Sequence, residues 1–339
     1  MIDSVRLKYK IEIPGNCFSE DWKYEVNNFG EPRFYRTVKN VHFNYYSDTG
    51  TFHINGKILL LLHNTRVRNF DDIYEADRET FLDEINAAIN RLFPYPVPGM
   101  DIRNFTVTHI DYCINVQTPY VKEYLEFLAQ AFENTNNGSR VNFTAEKGLE
   151  GSVYIKTAAQ YEKREKRNYT VNFYNKADWI EKQQKEGHNI SRQDQIWAEN
   201  ILRLEVQCGD QQVKRIAEDC KIGKTFAEMF DFKVAYTTLL RIYSLVFKGN
   251  AEADYYSYQE AKKAVAGFQG RQIGTLETLE HISKNHKITP FKRRKILDLG
   301  IYPWHFLDKN GDLNHLENPM RLIRKKLALL DVLEAAEKD

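Results

Sequence analysis

The feature that most constrains this chain is a set of three stretches in which apolar and polar residues alternate. They are the stretches 105–116, 169–176 and 201–207. Alternation with a period of two residues is the signature of a β-strand that turns one face toward a core. The polar face of the second stretch would carry Thr170, Asn172, Tyr174 and Lys176. A phenol and an amine on one face could serve attack on a phosphodiester, although such side chains are more often plain sheet surface.

The first and third stretches have the same design. In the first, His109 and Asp111 share the polar face at a spacing of about 7 Å along the strand. In the third, Arg203 and Glu205 share the polar face. An imidazole and a carboxylate could hold one divalent cation if a neighbouring strand supplied a third ligand, or they could form a hydrogen-bonded pair. If the three strands are neighbours in one sheet, their polar side chains converge into one site.

The rest of the first 200 residues predicts further strands, turns and helices. Asp77 is predicted to cap a helix that ends before Pro94, and a second helix is predicted over 119–132. A short helix is predicted from residue 177 to about 185. Turn signals predict strands at 5–13, 41–46, 51–54 and 58–63, of which the last would be fully buried.

Residues 151–175 predict a β-hairpin with a basic connecting loop. Such a loop could contact phosphates, or it could be a solvated tip. Its basic residues are Lys163, Arg164, Lys166 and Arg167.

The pattern changes from strands to helices at about residue 211. This change predicts two domains, one over 1–212 and a mainly α-helical one over 213–339. Within the second, Thr289-Pro290 predicts the start of a helix with a basic first turn. Such a helix suits duplex binding, although a charged helix face is solvated surface by default. Its basic residues are Lys292, Arg293, Arg294 and Lys295.

Composition limits the class of protein. A chain of 339 residues can form two domains of ordinary size, and a net charge of +1 leaves any nucleic-acid contact to local patches. The sequence contains no signal-peptide pattern, no apolar run of membrane-spanning length and no pair of closely spaced cysteines, which predicts a cytoplasmic protein with no membrane partner. The absence of P-loop and G-x-S-x-G motifs argues against a nucleotide-driven motor or a triad hydrolase.

Four motifs in this order resemble a known family. They are the apolar stretch after Gly56, the triplet His109-Ile110-Asp111, the segment 171–176 and the segment 202–206. Their order and spacing resemble the rolling-circle replication initiators of filamentous phages, the gene II protein type, and related initiators of plasmids and conjugative elements. The resemblance covers roughly residues 1–212. It implies an α+β fold like that of the HUH nucleases, with an antiparallel sheet flanked by helices.

The resemblance also implies an activity. A site-specific endonuclease would nick one DNA strand at an origin through a covalent 5′-phosphotyrosine intermediate and later rejoin it. Tyr174 matches the nucleophile of the family, and Lys176 matches the lysine that follows it. Asp111 and Glu205 match the acidic positions that would hold Mg²⁺ or Mn²⁺. His109 stands where the family more often has Arg, so it is either a third ligand or a structural replacement.

The implied partners are double-stranded origin DNA with a single-stranded nick site, a host helicase and a second copy of the chain. Two other readings stay open. A conjugative relaxase would use the same chemistry, whereas a non-catalytic DNA-binding regulator would share only the fold and the basic patches. A metal-dependent hydrolase unrelated to DNA is a more distant alternative. Tyr154, Tyr161 and Tyr169 are competing candidates for the nucleophile.

Overall fold

The protein is an α+β structure built on one large antiparallel sheet, as the sequence predicts. It is seen in a computed structural model that describes residues 1–26, 29–63, 65, 67–74, 77–122, 124–125, 128, 143–147, 152–157, 169–246, 305–307, 313–315, 322–326 and 328. Helices from both halves of the chain flank the sheet. Within the described residues, no helix is long and apolar enough to cross a membrane.

Ten strands form the main sheet. In chain order they are β1 (Ile2–Lys10), β2 (Lys23–Val26), β3 (Pro32–Val38), β4 (Val41–Tyr46), β5 (Thr51–Gly56), β6 (Thr106–Gln117), β7 (Phe143–Lys147), β8 (Val153–Thr157), β9 (Tyr169–Asn175) and β10 (Ile201–Cys208). Their order across the sheet is β2-β3-β4-β5-β1-β6-β10-β9-β8-β7, and neighbouring strands pair antiparallel. A separate two-stranded ladder joins β11 (His305–Leu307) to β12 (Leu313–His315).

The stretch after Gly56 corrects one sequence prediction. Residues 58–63 do not form a buried strand, because the chain forms a 3₁₀ turn over Ile58–Leu61. Strand β5 continues through Gly56, which pairs with Val5, and Gly56 then turns the chain away at a φ of +137°. A Cβ at Gly56 would lie 2.9 Å from the carbonyl oxygen of Asn40, so only glycine fits there. Ile58, Leu59 and Leu60 of the turn are nevertheless buried, as the sequence predicts.

Six helices have described bounds. They are α1 (Arg78–Asn90), α2 (Lys176–Lys185), α3 (Arg192–Ala198), α4 (Asp210–Cys220), α5 (Phe226–Met229) and α6 (Phe232–Val246). The Asp77 carboxylate caps α1 by accepting from the backbone of Thr80 at 3.1 Å, which confirms the predicted start. Residues 121, 122, 124, 125 and 128 are also helical, in the range where the sequence predicts a helix. Further 3₁₀ turns span Gly15–Cys17, Phe70–Asp72 and Ile102–Asn104.

One face of the sheet packs into the main hydrophobic core. Apolar residues of β1, β6, β9 and β10 share this core with residues of α4, α5 and α6. The Tyr112 hydroxyl links the two parts by donating to the carbonyl of Met229 at 2.8 Å. The core of the sheet therefore includes residues as far along the chain as Tyr243 of α6, beyond the boundary predicted at residue 212, and the division into two domains stays a prediction. Near β9 and β10, α2 and α3 form a smaller apolar cluster with Val67.

Several predictions are confirmed only in part. The three helices α4, α5 and α6 make up most of the stretch 210–246, as predicted, but β11 and β12 show that the last part of the chain also contains strands. The hairpin of β8 and β9 is confirmed. Its basic loop, with Lys163, Arg164, Lys166 and Arg167, lies outside the described residues, as does the basic helix start with Lys292, Arg293, Arg294 and Lys295.

Candidate functional site

The three amphipathic strands are neighbours in the sheet. Strand β10 lies between β6 and β9, so the polar faces of all three strands adjoin. In the register of these strands, Glu205 stands opposite Cys113 on one side and Asn172 on the other. Arg203 stands opposite Tyr174 in the same way. The polar side chains that the sequence assigns to these three strands, except Lys176, therefore lie on one face of the sheet.

A β-bulge in the first strand adds residues that the sequence patterns do not reveal. The pairing of β1 with β6 shifts between Ile2 and Val5, so β1 has one residue more than β6 in this interval. The Ser4 hydroxyl donates a short hydrogen bond to the Asp111 carboxylate. The Asp3 carboxylate lies 2.9 Å from Nη2 of Arg203. Bulges often redirect side chains beside functional sites, and this one brings two consecutive residues of β1 to the polar face.

Glu205 lies at the centre of the site. Its Oε2 accepts from Nε of Arg203 at 3.0 Å and from the Tyr174 hydroxyl at 3.4 Å. Its Oε1 accepts from the side-chain amides of Asn172 at 3.2 Å and Gln207 at 3.1 Å. The carboxylate is 5 % exposed and is surrounded by four donors.

Arg203 connects Glu205 to the first strand and to a loop. The residue is fully buried, and its Nη1 donates to Oδ1 of Asn69 at 2.8 Å. The Asp3 carboxylate that it contacts also pairs with Nζ of Lys57 at 3.1 Å. Lys57 directly follows the last residue of β5. Arg203 is thus held by groups from three separate parts of the chain.

Lys176 is a buried cation that forms no ion pair within the described part of the chain. Strand β9 ends at Asn175, whose side chain caps α2, so Lys176 is the first helical residue and does not belong to the strand as predicted. Its ammonium lies 4.1 Å from the ring centre of Trp179 and 5.6 Å from that of Tyr174. Lys176 is 1 % exposed, and among the described residues its ammonium has no hydrogen bond and no ion pair. Among the described residues, the amine therefore contacts aromatic faces, while Asp3 and Glu205 attract its charge without pairing with it.

Burial and charge shift the pKa values of these groups in different directions. Burial, followed by the repulsion of Arg203 and Lys57, holds the pKa of Lys176 well below its ordinary value. Burial also raises the pKa of Tyr174, and the nearby cation Arg203 offsets this rise only in part. The pKa of Glu205 is raised, chiefly by burial.

Asp3 is the exception. Burial opposes its ionisation, but Arg203 and Lys57 outweigh burial and hold the pKa of Asp3 well below its ordinary value. The charged groups of this face are three acids and three bases. They are Asp3, Asp111, Glu205, Lys57, Lys176 and Arg203. Burying so many charges costs more than it contributes to folding, and such clusters are typical of functional sites.

The predicted metal ligands are only partly brought together. Nε2 of His109 lies 2.8 Å from Oδ1 of Asp111, so these two side chains form a pair. Both oxygens of Glu205, by contrast, already accept hydrogen bonds. The described part of the chain contains no group of three or more His, Cys, Asp or Glu side chains arranged to hold a metal ion. The arrangement therefore does not fit a three-ligand site, and the binding of Mg²⁺ or Mn²⁺ stays a prediction.

Three other tyrosines, Tyr154, Tyr161 and Tyr169, compete with Tyr174 as candidates for the nucleophile. Tyr154 lies on β8 and Tyr169 opens β9, but their side chains are not among those described. Tyr161 lies outside the described residues. Among these candidates, Tyr174 is the one whose hydroxyl is described, and it points to the charged cluster.

Comparisons with known proteins give a similarity in structure but none in sequence. No protein-family model matches the sequence, and no curated protein matches it. Among solved structures, the chain is similar to a rolling circle replication initiator protein from Geobacillus stearothermophilus, at 11 % identity and a TM-score of 0.34. The match covers 70 % of this chain and 83 % of that chain. A TM-score this low assigns neither a fold nor an activity, so the function has to be argued from the residues themselves.

Proposed function

We propose that the chain initiates rolling-circle replication by nicking and rejoining one DNA strand, with Tyr174 as the attacking group. One observation carries the proposal. The Tyr174 hydroxyl lies 3.4 Å from a buried carboxylate, that of Glu205, and the centre of its ring lies 5.6 Å from Nζ of Lys176 and 5.9 Å from Cζ of Arg203. A nucleophile, a proton acceptor and cations for a phosphate thus meet on one sheet face. The motif order that resembles the phage and plasmid initiators supports the same assignment.

The chemistry follows from these groups. The oxygen of Tyr174 attacks phosphorus, and its proton passes to Glu205, whose raised pKa makes it a better base than an ordinary glutamate. The new bond joins the tyrosine oxygen to the 5′-phosphate. The bond from phosphorus to the 3′-oxygen breaks, and that oxygen takes up a proton. The resulting 3′-OH can prime synthesis and can later attack the phosphotyrosine to rejoin the strand, which needs no nucleotide hydrolysis.

The cations supply the electrostatic part of this mechanism. Negative charge grows on the phosphate oxygens during attack, and a fixed cation in a dry site stabilises it strongly. Lys176 suits this role because its ammonium has no hydrogen-bond partner among the described residues. Arg203 is held by Asp3 and Glu205, so its charge is fixed in place. No step is assigned to a divalent cation, because the oxygens of Glu205 are already occupied.

One observation favours a second function, that of a non-catalytic DNA-binding regulator. Tyr174 is 8 % exposed, so a phosphate reaches its hydroxyl only after part of the covering chain has moved. In a regulator, Tyr174 and Lys176 would be structural parts of a buried polar network. A conjugative relaxase would share the nicking chemistry and would differ only in what becomes of the cut strand.

The decisive experiment compares two tyrosine variants on supercoiled DNA that carries the origin, with Mn²⁺ present. Tyr174→Phe should abolish both the nick and the label that is trapped on the protein. The loss of a 3.4 Å hydrogen bond should change the free energy of unfolding by less than about 1 kcal/mol.

The matched control is Tyr112→Phe, which removes another buried hydroxyl, from strand β6 on the core side of the same sheet. It leaves the Met229 carbonyl without its donor, so it should cost about 1–3 kcal/mol of stability while nicking persists. Nicking that survives in Tyr174→Phe would exclude this tyrosine as the nucleophile. A wild-type chain that binds the origin without forming any adduct would support the regulator. Omitting Mn²⁺ and adding EDTA tests the predicted need for a cation.

A further inference from the structure

The polar face that holds the candidate site continues across the other half of the sheet. Arg6 of β1 stands opposite His109 of β6, so the site and the outer face of β1 adjoin. Beyond β1, the polar faces of β5 and β4 follow in order. We name this half the DNA platform and define it by Arg6, Lys8, Lys10, His42, Tyr46 and His53. The alternate residues of the same strands, such as Val5, Phe43 and Ile54, are buried in the core.

The platform carries an unbalanced positive charge. Arg6, Lys8 and Lys10 are exposed and lie on the same face of one strand, with about 7 Å between successive side chains. The residues that stand opposite them on the neighbouring strand β5 are Asn55, His53 and Thr51, none of which is acidic. Among the described residues, the three cationic side chains have no ion pair. The surface therefore has the charge that a phosphate backbone requires.

Two acidic residues of the described chain, Glu31 and Glu25, lie near the platform. Glu31 is close enough to act on the charge of His53, in the direction opposite to Lys8. Glu25 of β2 is paired with Arg33. Burial and then Lys8 lower the pKa of His53, so the charge of the platform comes from β1.

The platform also carries rings beside the cations. The rings of Tyr46 and His53 meet edge to face with their centres 5.1 Å apart, and both residues are partly exposed. Unpaired bases stack on such rings, whereas a duplex keeps its bases stacked on each other. A broad sheet face also cannot enter a groove, which admits a helix or a two-stranded ribbon. Cations with rings on an open sheet therefore suit a single strand better than a duplex.

We infer that the DNA platform binds single-stranded DNA beside the nick site. The strand runs over Lys10, Lys8 and Arg6 to His109, and from there to the charged cluster around Glu205. This inference rests on the proposed function in one respect, since the bound strand is the one that would be cut. It adds a binding surface that consists of different residues from the reacting groups.

The test measures binding without cutting. All proteins carry Tyr174→Phe, and the probe is a labelled oligonucleotide of mixed sequence, either single-stranded or annealed to its complement. The test variant adds Arg6→Gln, Lys8→Gln and Lys10→Gln. The control variant adds Lys214→Gln, Arg215→Gln and Lys221→Gln, which remove three exposed cations from the region of α4 on the opposite side of the sheet. Binding is followed by fluorescence anisotropy over a series of salt concentrations.

The test variant should show a smaller salt dependence and a lower affinity for the single strand. Each phosphate contact on a single strand contributes about 0.7 to the slope of log K against log salt, so the test variant should lose about 2 from that slope. At about 0.1 M salt, its affinity for the single strand should fall about 100-fold by the same relation. The control variant should bind as the parent does, and affinity for the duplex should change much less in both variants.

The inference is overturned if the test variant binds the single strand as tightly as the control, or if it loses affinity for the duplex alone. Its failure can be told apart from that of the proposed function. If the chain that retains Tyr174 nicks the origin but the test variant binds the single strand normally, the proposed function stands and the platform is excluded. If the chain binds the single strand through the platform but never forms a covalent adduct, the platform stands and the nuclease activity is excluded.

Discussion

Lys176 shows how a single residue can be costly for folding and useful for chemistry. Its ammonium is buried against two rings and has no hydrogen bond among the described residues. A stable fold gains nothing from such a group, because the desolvation of the charge is not repaid by an ion pair. Its presence is explained if an anionic ligand completes its surroundings.

Replacing Lys176 by Met should separate stability from activity. Lys176→Met keeps the length of the side chain and removes the charge, so the free energy of unfolding should rise by about 1–3 kcal/mol while nicking is lost. Urea titrations followed by circular dichroism measure the first effect, and the plasmid assay measures the second. Lys182→Met, on the exposed side of α2, should change neither.

The gain in stability that we expect for Lys176→Met should depend on pH. The pKa of Lys176 in the folded protein lies below its ordinary value of 10.5. Above pH 10.5 the side chain is neutral in both the folded and the unfolded state, so no charge has to be buried. As the pH falls from 10.5 toward the folded pKa, the unfolded state takes up a proton that the folded state does not, and the folded protein loses stability. The advantage of Lys176→Met should be small at high pH and should grow as the pH is lowered. A gain that is constant with pH would contradict the buried charge as its cause.

The bulge in β1 shows, at the scale of one element, what sequence periodicity cannot reveal. The polar faces of β6, β9 and β10 could be predicted, because alternation depends only on residues next to each other. Asp3 and Ser4 could not, since an inserted residue breaks the alternation and its effect depends on the pairing with β6. Lys57 was missed for a related reason, because its contact with Asp3 joins segments far apart in the chain.

Removing the charge of Asp3 tests the role of this element. Asp3→Asn keeps the shape of the side chain but leaves Arg203 and Lys57 without their shared anion, which should cost about 1–2 kcal/mol after allowance for the partial exposure of Asp3. Because the pKa of Asp3 is held below its ordinary value of 3.8, this contribution is present above that pH and is lost as the pH falls through the folded pKa.

Unfolding curves at neutral pH and near pH 3 measure the effect of Asp3→Asn. The difference from the wild type should be full at neutral pH and should shrink in acid. Glu12→Gln, at an exposed position just beyond β1, is the control and should have no effect at either pH. An Asp3→Asn variant as stable as the wild type at neutral pH would show that the bulge does not fix Arg203.

At the scale of the whole molecule, the helices after residue 210 belong to the same core as the sheet. Phe226, Phe230 and Tyr236 are fully or almost fully buried there, and Ile323 joins them from near the end of the chain. Over the described residues up to Tyr243, the helices that follow the strands form a second layer on the same sheet. Sequence patterns report which elements form, whereas their packing depends on contacts between distant residues.

A fragment that ends at residue 212 should therefore fail to fold. It would expose the apolar face of β6 and β10 and would leave the Tyr112 hydroxyl without the Met229 carbonyl. Thermal unfolding followed by circular dichroism should show no cooperative transition for 1–212, whereas the full chain should give a sharp one. A cooperative transition in the fragment would support a domain boundary at residue 212.

The separation of the two sheet faces has a consequence for how this protein tolerates mutation. Along β1, β6 and β10, each residue belongs either to the core or to the polar face that carries the site and the platform. A scan of all single substitutions should therefore show a tolerance profile with a period of two. Substitutions at the core positions would lower abundance in the cell most, whereas substitutions at the positions between them would lower it less and would abolish replication. The same profile should slip by one position at Asp3 and Ser4, so that mutational data alone would locate the bulge.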